Sequence, residues 1–154
     1  MKKIIIITSL LSLLFSGINI HAQEIDEVGG LYYKEGSLYS GMYTAYYENG
    51  QVKMEMKISN GKKDGKIRIY FEDGNLNEIR SYKDNKMHGK WVMYNDHNIK
   101  ISVARYKNGV KHGKWLIWND YGNLLYKLQY TNGEKSGVWE EYNENGEIVN
   151  QRKY

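Results

Sequence analysis

Apolar and polar positions alternate with period two over two long stretches of the chain. Val52, Met54, Met56 and Ile58 fall on one parity, against Lys53, Glu55 and Lys57. Leu124, Tyr126, Leu128 and Tyr130 repeat the pattern against Lys127 and Gln129. Strict alternation marks a half-buried antiparallel strand. A second kind of run carries large residues on both parities: Met42–Tyr47, Lys66–Phe71, Lys90–Tyr94, Lys114–Trp118 and Val138–Tyr142. In one of these Trp115 and Ile117 oppose Leu116 and Trp118, so both faces of such a strand are expected to carry apolar surface. Turn chemistry separates the runs. Asn49-Gly50, Asp73-Gly74 and Asn145-Gly146 stand between the two strands of a pair. Asn60-Gly61, Asn108-Gly109 and Asn132-Gly133 stand between pairs. Asn-Gly and Asp-Gly supply the positive φ that tight hairpin turns need.

The strand pairs recur at a fixed period. Gly109 to Asn132 falls onto Asn85 to Asn108 and onto Gly133 to Tyr154 when shifted by 24 residues. Gly41, Gly65, Gly89, Gly113 and Gly137 form one series at that spacing, and Gly50, Gly74, Asn98, Gly122 and Gly146 a second. Tyr43, Ile67, Trp91, Trp115 and Trp139 follow the leading glycines. Tyr46, Tyr70, Tyr94, Trp118 and Tyr142 precede the inner turns, and Ile58, Tyr82, Tyr106, Tyr130 and Tyr154 close the units. A fixed period of this length signals a repeat architecture. The expected fold is all-β: an elongated, single-layer antiparallel meander of about five hairpins, at about 37–60, 61–84, 85–108, 109–132 and 133–154. One hairpin is marginal alone, so each is expected to pack on the next. Asn98 replaces glycine in the third unit, and asparagine reaches the left-handed region at modest cost.

The first 22 residues are of another kind. Lys2 and Lys3 precede an uncharged apolar run, Ile4 to Ile20, which ends at Ala22. That pattern predicts a secretory signal peptide cleaved near Ala22/Gln23, and hence a secreted or periplasmic protein without a transmembrane anchor. Residues 23–35 read as a lead-in, with an acidic, mobile start, and Tyr33 to Gly36 as the end of an incomplete first unit that is out of register by one residue. The chain has no cysteine and no proline, and 16 glycines. Disulfides are therefore excluded, and the sheet and its aromatic rings must hold the fold. Loss of Lys2 and Lys3 lowers the formal charge from +4 to +2. Lys, Asp, Glu and Asn are interspersed along the chain, which reads as a solvated surface and not as a nucleic-acid groove.

The glycine-spaced, tyrosine-rich hairpin resembles the MORN repeat in its bacterial variant form. Asn60-Gly61 through Leu76, Asn108-Gly109 through Leu124 and Asn132-Gly133 through Ile148 carry the resemblance, which extends from about Gly36 to Tyr154. It implies a twisted single sheet of hairpins, no catalytic residues, and scaffold or adaptor roles. Many bacterial members are labelled antitoxins, a role that fits an exported chain poorly.

Candidate chemistry is sparse. Gly41, Gly65, Gly89, Gly113 and Gly137 read as structural corners. Asp64, His88, His112 and Ser136 occupy equivalent places and read as a solvated row, so neither a metal nor another cofactor is expected. No enzyme activity is expected either. Tyr46, Tyr70, Tyr94, Trp118 and Tyr142 are the candidate interaction surface. Together with Trp91, Trp115 and Trp139 these rings either form the core of a thin sheet or stack on sugars. The functional expectation is an exported, non-catalytic scaffold with a protein partner. A glycan or cell-wall binding module and an antitoxin or immunity-type protein are the alternatives.

Overall fold

The computed structural model describes residues 24–154, and the expected signal peptide lies outside them. A small sheet comes first: β1 (Asp26–Val28), β2 (Leu31–Lys34) and β3 (Ser37–Leu38), in the order β1-β2-β3. The large sheet follows. Its strands are β4 (Gly41–Tyr46), β5 (Val52–Ser59), β6 (Lys62–Tyr70), β7 (Leu76–Lys83), β8 (Lys86–Tyr94) and β9 (Lys100–Lys107). It continues through β10 (Val110–Lys111), β11 (Gly113–Trp118), β12 (Leu124–Thr131), β13 (Glu134–Lys135), β14 (Val138–Tyr142) and β15 (Ile148–Lys153). Every pairing is antiparallel, and the order β15-β14-β12-β11-β9-β8-β7-β6-β5-β4 follows the chain without a crossover. The expected all-β hairpin meander is what forms, and the sheet does not close on itself.

The two turn positions differ, although the dipeptides look alike. Between units both central residues take positive φ: Asn60 and Gly61 at 47° and 72°, Asn108 and Gly109 at 52° and 90°. These two-residue turns twist as the flanking strands do. Asp84 and Asn85, at 49° and 65°, make the same turn without glycine. Inside a unit the loop is longer and only one of its residues turns left-handed. Gly50 sits at φ 84°, and its N–H donates to the Tyr47 carbonyl at 3.0 Å. Asn98, at φ 60°, fills that role in the third unit, as its side chain permits.

A register shift recurs beside each inner loop, at Ala45/Tyr46, Ile69/Tyr70, Met93/Tyr94, Ile117/Trp118 and Glu141/Tyr142. This corrects the simple alternation. Met54 pairs with Ala45, but Val52 pairs with Tyr46, the next residue along β4. Val52 therefore shares a face with Tyr46 and not with Met54. Likewise Leu124 pairs with Trp118, while Tyr126 pairs with Ile117. A bulge inserts one residue on one strand, and period-two reading cannot cross it.

The lead-in is more ordered than its composition suggests. Asp26–Val28 pairs with Leu31–Tyr33 as a strand, and Glu35 and Gly36 form the turn into β3. The Tyr32 N–H donates to the Gly61 carbonyl at 2.8 Å, which ties this small sheet to the large one. Its side chain closes the densest part of the core, where Tyr32, Met56, Ile58 and Ile67 are buried together. The aromatic ring and three aliphatic side chains give this end a second layer, which the expected single layer lacks.

Candidate functional site: two faces of the repeat sheet

Antiparallel partners share a face, so the registers sort the side chains. One face carries the residues that follow the leading glycines and those that close the units. Trp91, Tyr106, Trp115, Tyr130, Trp139 and Tyr154 form one file, with successive ring centroids 4.9 to 5.5 Å apart and planes tilted by 41° to 57°. Tilted rings at this distance suit the aromatic quadrupole, and five contacts contribute on the order of 5 kcal/mol beyond burial. Cations cover the file. The Lys111 ammonium lies 4.6 Å from the Trp115 centroid and 4.9 Å from Tyr130, and Lys135 repeats this over Trp139 and Tyr154. Met87 stands at the equivalent place in the third unit, and there Arg80 covers Trp91 at 4.8 Å.

The indole N–H groups are used. Trp115 Nε1 donates to the Arg105 carbonyl at 3.0 Å and Trp139 Nε1 to the Gln129 carbonyl at 2.9 Å. Trp91 instead donates to Glu78 Oε1. Glu78 is the one buried charged residue among the described residues, and the Arg80 guanidinium holds its other oxygen at 2.6 and 2.8 Å. Burying a carboxylate is tolerable when it is paired and hydrogen-bonded, as here. Farther along the same face, Tyr126, Leu128, Trp139, Glu141, Arg152 and Tyr154 surround an open hollow of about 200 Å³.

The opposite face holds the predicted interaction row. Tyr46 is exposed, and Tyr70, Tyr94, Trp118 and Tyr142 are half-buried. The tryptophans Trp91, Trp115 and Trp139 lie across the sheet from this row, so the aromatic residues grouped in the sequence divide into two surfaces. The Tyr70 hydroxyl donates to Glu55 at 2.8 Å, and burial followed by this bond raises its pKa. The Tyr142 hydroxyl donates to Glu140 at 2.7 Å and is raised chiefly by that bond. Glu140 also accepts from Lys127 at 2.7 Å, and the Lys127 and Tyr142 bonds hold its carboxyl below the usual range.

Beside the aromatic row runs an apolar one. Ile79 pairs with Val92, Val92 with Val103, and Val103 with Leu116. Beyond it comes a row that sequence order hides. Lys57, Lys66, Lys90, Arg105, Lys114 and Lys153 share one position along the strands and all are exposed. The five inner loops, 47–51, 71–75, 95–99, 119–123 and 143–147, carry seven acidic residues and no lysine or arginine. Charges interspersed along the chain are thus segregated in the fold. A period-by-period tabulation of charge against strand position would have found this.

The leading glycines shape the cationic row. At Gly65 and Gly113, φ is 123° and 78°, and an added Cβ would lie 3.1 Å from Lys57 Cδ and 3.2 Å from Arg105 Cδ. The missing Cβ lets those stems lie flat across the sheet. His88 and His112 face the turns between units, where Asn108 and Asn132 N–H groups approach their Nδ1 atoms at 3.5 Å. No group of three His, Asp or Glu side chains that could hold a metal occurs among the described residues. Nor is any helix there long and apolar enough to cross a membrane.

An open sheet built from successive hairpins of one period, with two long faces, defines a β-hairpin repeat protein. Residues 39–60, 63–84 and 135–154 match the family model described as MORN repeat variant, and these units are MORN-variant repeats. The third and fourth units lie outside those matches, although they form the same hairpins. No curated protein matches the chain.

Proposed function

We propose that this protein is a non-catalytic, exported interaction scaffold whose partner is a protein. MORN repeats are in general repeats for interaction with proteins and membranes, which supports the reading. The observation that carries it is the face bearing Tyr94, Trp118, Val92, Val103 and Leu116, an apolar and aromatic centre flanked by charge. Protein interfaces are built in this way, with an apolar centre inside a polar rim. The twisted-sheet fold leaves that face long and open. A photo-crosslinking side chain at Trp118 tests the reading, with a second at Leu128 on the opposite face. Protein adducts from Trp118 in envelope preparations are the expected result. Adducts confined to Leu128, or retention on peptidoglycan with no protein adduct, would overturn it.

The hollow at Tyr126, Trp139, Glu141 and Arg152 favours a second reading, a glycan or cell-wall site in which a sugar stacks on the exposed rings. An antitoxin or immunity role needs a toxic partner in the same compartment. A toxin gene beside this one would support it.

A further inference from the structure

Six cations in one row with no acid among them have an electrostatic consequence. None of Lys57, Lys66, Lys90, Arg105, Lys114 and Lys153 takes part in an ion pair among the described residues. Several other strand cations are engaged: Arg68 and Lys127 face Glu55 and Glu140, and Lys63, Lys111 and Lys135 lie on aromatic rings. Lys90, Arg105 and Lys114 sit on the consecutive strands β8, β9 and β11. Neighbouring strands lie about 4.8 Å apart, so these three charges span roughly 10 Å. Two residues along each strand, about 7 Å away, stand Val92, Val103 and Leu116.

Resting on the protein-interaction reading above, we propose that this strip binds an amphipathic α-helix with an acidic flank, laid across the strands. Carboxylates one helical turn apart are about 5–6 Å from each other, close to the strand spacing. Carboxylates on one side of an extended peptide are about 6.7 Å apart and fall out of step within three strands. A helix about 10–12 Å wide covers the cationic and the apolar row together. The C–H face of a sugar stacks on flat aromatic rings, which Val92, Val103 and Leu116 do not offer. A bilayer is flat, whereas strands twist by about 20–25° each, so cations at the ends of the row turn away from any plane.

The probe is a labelled peptide of about 14 residues (~21 Å of helix), with glutamates one turn apart beside a leucine stripe. Binding to the mature chain is read by fluorescence anisotropy at low and at physiological salt. Changing Lys90, Arg105 and Lys114 to Gln together is expected to weaken binding by roughly tenfold, within the range for three exposed charge contacts. It should also flatten the salt dependence. The same charge loss at Lys83, Lys86 and Lys107, outside the strip, should leave binding unchanged. A scrambled peptide of the same composition should bind weakly. The proposal falls if the scrambled peptide binds as tightly, or if the strip variant binds as the parent does. It falls equally if polygalacturonate or phosphatidylglycerol vesicles bind through Lys90, Arg105 and Lys114 while the peptide does not. If Trp118 adducts persist in the strip variant while the peptide assay fails, the scaffold reading stands and this inference alone is lost.

Discussion

Lys127 stands three periods after Glu55, at the same place in the sheet, with the opposite charge. Glu55 faces Arg68 across its strand pair, and Lys127 faces Glu140. The pair is inverted, and the units between hold Ile79, Val92, Val103 and Leu116 in its place. Like charges directly opposite on a sheet repel, while opposite charges attract in either order. Changing Lys127 to Glu alone should therefore lower the melting temperature, and combining it with Glu140→Lys should restore most of the loss. Thermal unfolding of the three proteins checks this.

The carboxyl of Glu140 is held down, first by Lys127 and then by Tyr142. A depressed folded-state pKa means that the unfolded chain binds the proton more readily, so stability rises with pH through that window. Glu140 therefore contributes above the ordinary carboxylate range, and its contribution is lost as pH falls through its lowered folded pKa. Tyr142 is shifted up, so its contribution is present below the ordinary phenol range and is lost as pH rises through its raised folded pKa. Trp139 fluorescence in denaturant at a series of pH values should show both limbs. Glu140→Gln should flatten the acid limb, and an unchanged slope would refute the assignment.

Glu78 and Arg80 stand where the preceding unit has Met54 and Met56. Glu78→Ala leaves the Arg80 guanidinium and the Trp91 N–H without their acceptor and should cost about 1–3 kcal/mol. Replacing both residues by methionine removes the ion pair but still leaves the Trp91 N–H without its acceptor, so the double variant should recover only part of that loss. Urea unfolding of the single and double variants distinguishes a pair that only satisfies itself from one that the fold requires.

Gly113→Ala places a Cβ at φ 78° and within 3.2 Å of Arg105 Cδ. A left-handed conformation costs a side-chain-bearing residue about 1–2 kcal/mol, and the displaced Arg105 stem adds to that. Gly109→Ala incurs the φ cost alone, since nothing lies within 4 Å of its Cβ. The difference between the two midpoints measures how firmly the arginine stem is seated.

The fold was legible because the 24-residue period, the turn dipeptides and the paired runs all point to hairpins in series. Asn98 was legible for the same reason, since its place in the glycine series required positive φ. The bulges were not. Val52 and Met54 look alike in a period-two pattern, and only pairing shows that they face opposite sides. Nor was the second layer at Tyr32, because it depends on a backbone bond to Gly61, far along the chain. The opposite parities of Trp115 and Trp118 were legible along β11, but not which of the two faces carries the stacked file of rings. The cationic row was present in the letters, yet it emerges only when positions are read across strands.

The file of rings from Trp91 to Tyr154 runs along the direction in which the strands are stacked, and so do the backbone hydrogen bonds of every ladder. Tension applied between the two ends of the sheet therefore pulls each bond along its own length instead of shearing many at once. A tethered molecule should open strand by strand at low force, in steps set by the repeat. The end secured by Tyr32 and its buried neighbours should yield last.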